Sequence, residues 1–230
     1  MATKELDGVR VAILVAQGFE QVEMEKPRKA LDKAGAETTL ISPEEKKVRA
    51  WDLTDWGSKF AVDLNLEDAR PEDFDALLLP GGVMNPDILQ TIPQAVAFVK
   101  AFFDAGKPVA SICHGPWTII EAGAARGRRM TSWPSLQTDL RNAGANWVDE
   151  EAVVDGNLIT SRRPDDTERV VLSKLLEQNR KRYRDDAKAA EELTKVGLAP
   201  VPKGIDVPEL AAWTSVCRAL LNLNETMSRE

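Results

Sequence analysis

The sequence predicts an α/β fold built on a mostly parallel central sheet, and three observations lead there. Val9–Ala16 (VRVAILVA), apolar but for Arg10, Asp75–Pro80 (DALLLP) and Val109–Ile112 (VASI) are short, mainly apolar runs, the pattern of strands covered on both faces. Segments of helical length separate these runs, and a strand–helix–strand unit with a right-handed crossover makes its two strands parallel neighbours. Lys107–Trp117 (KPVASICHGPW) reads as a buried strand, a sharp turn at Cys113 and a helix beginning near Gly115 and Pro116, the outline of a nucleophile elbow.

Each element follows in order. After Val9–Ala16, Gln17 and Gly18 break the strand. The segment FEQVEMEKPRKALDKAG is a loop passing into a helix, with Pro27 near its first turn and Gly35 as its stop. Glu37–Ser42 resumes as a strand. Val48–Leu66 has short alternating pieces, a glycine and two tryptophans, and predicts a hairpin-like excursion beside the main sheet. Trp51 and Trp56 there read as packing or subunit-contact residues rather than as a cofactor box. Pro71–Phe74 is a helical turn, and Asp75–Pro80 is a strand ending in Gly81 and Gly82. Pro93–Ala105 is an amphipathic helix stopped by Gly106. Beyond the elbow, a short strand surrounds Met130, Ser135–Ala143 is a helix closed by Gly144, and Asp155-Gly156-Asn157 turns a hairpin between Ala152–Asp155 and Leu158–Ser161. A long helix is expected from Ser161 to about Arg184. The domain is therefore drawn as residues 1–184. Residues 185–230 form a helical C-terminal appendage: a small charged helix, a proline-containing linker, and a helix with an apolar stripe that includes Leu210, Trp213 and Val216. Cys217 on that stripe reads as packing.

The chemistry concentrates at the elbow. A cysteine at a helix N-terminus meets unpaired amides and the positive end of the dipole, so Cys113 is expected to have a lowered pKa. His114 is the single histidine of 230 residues, so any mechanism needing imidazole uses it. The bland alternative is a buried structural cysteine beside a histidine that fills a turn. Glu20, Glu23 and Glu25 lie just after the first strand. They are either favourable partners of a helix dipole, or one of them faces the crevice at the carboxyl ends of the strands and meets Cys113. Gly81 and Gly82 make a tight turn, or expose amides that form an oxyanion hole with the amide of His114. Asp87 sits at a probable helix start, where an N-cap role is the simple reading.

Composition sets outer bounds. A net charge of −7 argues against nucleic-acid or anionic-membrane partners. No stretch is apolar enough to span a bilayer, and MATKELDGVR lacks the apolar core of a signal peptide. Two separated cysteines suggest neither a disulfide nor a zinc site, so a reducing cytoplasm is the default, with no metal or cofactor expected.

VAILVAQGFEQVEMEKP, FDALLLPGG, GKPVASICHGPW, AARGRRMTS, NAGANWVDEEAVVDGNLITSR and RPDD together resemble the PfpI-like intracellular protease family, within the superfamily that includes the Parkinsonism-associated deglycase (ThiJ/PfpI, class I glutamine amidotransferase-like fold). The resemblance covers Val9 to Arg180. It implies a flavodoxin-like three-layer sandwich that assembles into homodimers or larger homo-oligomers. It also implies Cys113 as nucleophile, Glu23 as the carboxyl bonded to its sulfur, and His114 as the accompanying imidazole. Asp87 is similar to the acidic residue that, in the protease-like branch, reaches the histidine of a neighbouring subunit, although the Gly82-to-Asp87 spacing is longer than in some members. Gly81, Gly82, Glu20, Pro116 and Trp117 complete the expected oxyanion and substrate site.

The function implied is a stress enzyme acting on reactive carbonyls: a glyoxalase that needs no glutathione, a deglycase of protein or nucleotide adducts, or a weak intracellular peptidase. A shared chemistry is thiolate attack on an electrophilic carbon, with Glu23 moving protons. The alternative from another class is a redox-sensing stress protein or holdase that uses oxidation of Cys113. A glutamine amidotransferase is rejected, because it needs a second histidine and none follows His114.

Overall fold

The computed structural model describes residues 6–163, 180–194, 207, 208 and 211, and the chain divides into two compact units, 1–167 and 168–230. The first unit is an α/β sandwich around a seven-stranded sheet. Its strands are β1 (Arg10–Leu14), β3 (Glu37–Ser42), β6 (Leu64–Asn65), β7 (Ala76–Leu79), β8 (Val109–Ile112), β11 (Ala152–Asp155) and β12 (Leu158–Ser161). They run in the order β11-β12-β8-β7-β1-β3-β6, parallel throughout except for the β11–β12 hairpin. Flanking the sheet are α1 (Gln21–Ala34), α2 (Met84–Gln90), α3 (Pro93–Asp104), α4 (Pro116–Glu121) and α5 (Gln137–Asn142).

The apolar stretches of these strands explain the layering. Side chains alternate across a strand, so Ala12, Leu14 and Ala16 join one core while Ile13 and Val15 join the other. Leu77 and Leu79 divide from Leu78 in the same way. The first core also holds Phe98, Val99 and Phe102 of α3; the second holds Met24 of α1. At about 1.5–3 kcal/mol for each fully buried large apolar side chain, two filled faces secure the strand order and register.

The excursion after β3 is a hairpin of β4 (Lys47–Asp52) and β5 (Asp55–Ala61), which pairs with the two-residue β2 (Phe19–Glu20) in a separate small sheet. Trp51 and Trp56 meet edge to face across it, 5.6 Å between ring centroids. β9 (Arg129–Met130) and β10 (Asn146–Trp147) pair on their own. In the second unit, residues 180–185 are helical and α6 spans Ala187–Thr194, where the small charged helix was expected. Residues 164–179 of the expected long helix, most of the linker, and the apolar stripe with Cys217 lie outside the described residues.

Two local expectations are corrected. α1 begins at Gln21, so Pro27 lies within the helix rather than in its first turn. Proline forfeits one hydrogen bond there, to the carbonyl of Glu23, and its buried ring fills space against the core. Starting the helix early puts Glu23 in its first turn, pointing inward. Asp87 is not an N-cap: α2 starts at Met84, the cap position is Val83, and no side chain caps it.

Candidate active site

Because β1, β7 and β8 are parallel neighbours, their carboxyl ends open on one rim. The turn after β1 leads to Glu20 and Glu23, the turn after β7 is Pro80-Gly81-Gly82, and the turn after β8 is Cys113. Cys113 has φ +57°, and with Leu53 it is one of two non-glycine residues in the left-handed region among those described. Such a conformation costs of order 1–3 kcal/mol and persists only where its surroundings hold it. Three backbone bonds do so: Cys113 N–H donates to the Ser161 carbonyl, the Cys113 carbonyl accepts from Trp133 N–H, and Gly115 N–H donates to the Ile112 carbonyl.

Glu23 is 1% exposed. Its Oε2 accepts from Gly81 N–H at 2.7 Å. Oε1 is buried without a well-formed hydrogen bond, although the carboxyl and the thiol lie close enough to shift each other's acidity. Burial pushes Glu23 up to about 8; the nearby charge of Glu20 adds to this, while the Gly81 amide and the thiol oppose it. At neutral pH the carboxyl is therefore protonated.

Cys113 departs from expectation. Burial pushes its thiol well above the ordinary value, and an ionised Glu23 would push it further. The amides of His114 and Gly82 act on the sulfur in the opposite sense. The lowered pKa expected from a helix N-terminus is not found, because burial of the sulfur outweighs the amides that favour its charged form. The two opposing amides are nonetheless the pair expected to form an oxyanion hole.

His114 Nδ1 lies 3.2 Å from Cys113 Sγ, and Nε2 lies 3.2 Å from Ser135 Oγ. Burial lowers the imidazole to about 4, so it is neutral near pH 7. Its ring packs near two indoles, Trp117 tilted at 5.3 Å and Trp133 stacked at 6.1 Å. Trp117 is itself anchored through Nε1–H to Asp139 Oδ2 at 2.9 Å.

Glycine at 81 and 82 is required by space. A Cβ at Gly81 would stand 2.7 Å from both Glu23 Oε2 and the Ile112 carbonyl. At Gly82, with φ +77°, it would stand 2.5 Å from the Gly18 carbonyl. Pro116 is buried at the start of α4. Glu20 is farther out: its Oε1 accepts from Leu53 N–H at 3.2 Å, and partial burial raises its pKa, with the Leu53 bond opposing and Asp52 adding. Glu25 accepts from Gln21 Nε2 instead of turning to the thiol. Asp87 is exposed on α2, with Oδ1 accepting from Gln90 Nε2. Among the described residues no group of three or more His, Cys, Asp or Glu side chains could hold a metal ion, and no helix is long and apolar enough to cross a membrane.

Residues 9–178 match the sequence profile of the DJ-1/PfpI family. The chain belongs to the DJ-1/PfpI family. A deglycase of Thermococcus kodakarensis is 43% identical over 158 residues, which cover 69% of this chain and 92% of that one. YraA of Bacillus subtilis, named as a candidate cysteine protease, is 41% identical over 160 residues, with coverage of 69% and 92%. A two-domain protein of Anabaena variabilis with DJ-1/ThiJ/PfpI-like and ferritin-like domains superposes with a TM-score of 0.67 at 30% identity. That match takes in 91% of this chain but spans 57% of the Anabaena protein.

Within this DJ-1/PfpI site, three contributors were not legible in the sequence. Asn85 is fully buried; its Oδ1 accepts from Ala16 N–H, and its Nδ2 donates to the carbonyls of Pro80 and Gly81. It ties the turn after β1 to the turn after β7. Trp133 lies between the strand expected around Met130 and the helix expected over Ser135–Ala143, and Ser135 is the first residue of that expected helix. The tryptophan, proline and serine there, Trp133-Pro134-Ser135, were a signal for an ordered turn, but nothing local pointed it at the elbow.

Proposed function

We propose that this chain is a cysteine-dependent enzyme of reactive carbonyls, acting as a glutathione-independent glyoxalase or as a deglycase of carbonyl adducts. The observation that carries the reading is a thiol on a strained elbow, set between a protonated carboxyl and a neutral imidazole. Deglycase and cysteine-protease names among relatives support an enzyme of this kind. Cys113 and His114 are each 8% exposed, an access suited to a small aldehyde more than to a folded peptide.

The chemistry follows from the protonation states. Glu23, already protonated, cannot take the thiol proton, whereas neutral His114 Nδ1 can. As the S–H proton passes to Nδ1, the sulfur lone pair bonds to the aldehyde carbon. The carbonyl π electrons move to oxygen, facing the amides of Gly82 and His114, and that oxygen takes the Glu23 proton. Glu23, now a carboxylate, removes the hydrogen on the former aldehyde carbon and delivers it to the adjacent carbon, while the hydroxyl proton passes to the neighbouring oxygen, giving a thioester of a 2-hydroxy acid. Water then adds to the thioester carbon and gives a proton to Glu23, the C–S bond breaks as the Nδ1 proton of His114 passes to sulfur, and lactate leaves with the thiol, the carboxylic acid and the neutral imidazole restored.

The test is steady-state consumption of methylglyoxal, with D- and L-lactate quantified, by freshly reduced wild type and Cys113→Ala without glutathione. Many turnovers in the wild type and none in the variant support the proposal. At most one equivalent consumed would move the assignment to the redox-sensing stress protein, although a buried thiol with a raised pKa is a poor oxidation sensor. The same reading expects a cytoplasmic homodimer or larger homo-oligomer, which light scattering and cell fractionation would check.

A further inference from the structure

We infer that Ser135 is a positioning residue that holds the imidazole proton of His114 on Nε2, leaving Nδ1 with a free lone pair for the Cys113 thiol. The inference rests on the cysteine-dependent reading above and adds a partner for the histidine within its own chain.

The two ring nitrogens have unlike neighbours. Nδ1 faces sulfur at 3.2 Å and Nε2 faces a hydroxyl oxygen at 3.2 Å. A neutral imidazole has one N–H donor and one lone-pair acceptor, and its partners choose between the two arrangements. Sulfur is a weak acceptor and a weak donor, whereas the serine oxygen is a good acceptor. The stronger pairing puts N–H against Oγ and S–H against the ring lone pair. Ser135 is exposed, so its own hydrogen can turn to solvent while it accepts. The lowered pKa of His114 keeps the resting ring neutral, which makes the position of its single proton decisive. Ring contacts with Trp117 and Trp133 disfavour a flip that would exchange the nitrogens.

The arrangement also serves the reacting state. When the S–H bond breaks, its proton goes to Nδ1 and the electron pair forms the S–C bond. The ring becomes an imidazolium with two N–H groups, and Ser135 accepts from Nε2 without reorienting. In the opposite tautomer Nδ1 would already carry a hydrogen and could not receive the thiol proton.

His114 is the only histidine, so ring signals from protein labelled with 15N-histidine come from this residue alone. The wild type should show the Nε2-protonated tautomer. Ser135→Ala should shift the population toward Nδ1–H, and Ser135→Thr should restore it. Methylglyoxal kcat should fall about tenfold in Ser135→Ala, with KM little changed, and recover in Ser135→Thr, an effect typical of groups that orient a functional histidine. A wild type protonated on Nδ1, or identical ring spectra in wild type and Ser135→Ala, would overturn the inference. The NMR readout needs no turnover, so a protein inactive on methylglyoxal would refute the carbonyl reading without touching this one.

Discussion

At neutral pH Glu23 is an acid beside the thiol, the reverse of what its ordinary pKa suggests, and His114 is a neutral imidazole, more completely so than an ordinary one. Burial does this to both, because removing water penalises whichever form is charged. Glu23→Gln keeps the shape and the hydrogen bond from Gly81 but has no proton to give, so turnover should fall by roughly 10²-fold or more with the fold intact. Near-wild-type kcat in that variant would remove Glu23 from the mechanism. The same substitution should act oppositely on alkylation of Cys113 by iodoacetamide. As pH rises through about 8, wild-type Glu23 becomes negative and opposes the thiolate. Above that pH the Gln variant should therefore be alkylated faster than the wild type.

At the scale of elements, the site is a meeting of three turns, and its rigidity depends on what binds them together. Gly81→Ala would place a methyl group within 2.7 Å of Glu23 Oε2 and the Ile112 carbonyl. Overpacking of this kind costs about 1–3 kcal/mol, and here it also drives the carboxyl from the sulfur. Turnover should fall more than the melting temperature alone would explain. Asn85→Ala removes one side chain that serves three backbone groups on two turns. Leaving such buried groups unsatisfied costs about 1–3 kcal/mol, and for a chain of this size each kcal/mol lowers Tm by roughly 2–4 °C. An unchanged Tm by calorimetry would show that the turns hold their positions without Asn85.

At the scale of the whole molecule, the two buried site groups tie stability to pH in opposite directions. The unfolded chain releases the Glu23 proton near the ordinary 4.5, whereas the fold keeps it to about 8, so this group lowers stability as pH rises between those values. The unfolded chain binds a proton on His114 below 6.5, and the fold refuses it until about 4, so this group lowers stability as pH falls across that interval. Their effects offset between 4.5 and 6.5, and the Glu23 penalty grows alone from 6.5 to 8. Relative to the wild type, Glu23→Gln should therefore gain Tm steadily as pH is raised from 4.5 to 8 in scanning calorimetry. A difference that stays flat over that range would mean that Glu23 ionises normally in the fold.

The sequence by itself determined what short-range pattern can encode. The mainly apolar runs at Val9–Ala16, Asp75–Pro80 and Val109–Ile112 required strands covered on both faces, and the alternation within them required two cores. Glycines at 35 and 106 marked helix ends, and Cys113 between a buried strand and Gly115-Pro116 marked the elbow. Local pattern did not distinguish Glu20, Glu23 and Glu25; the family resemblance singled out Glu23, and the tertiary structure supplies the reason, in where α1 begins and in Gly81, 58 residues away. It also decided the acidity of Cys113, because desolvation is set by everything packed around the sulfur, whereas helix position is a local property. Asn85, Trp133 and Ser135 act through contacts with residues 69, 20 and 21 positions distant. No nearby pattern in the chain encodes such contacts; they exist only once the parallel strands bring their turns to one rim.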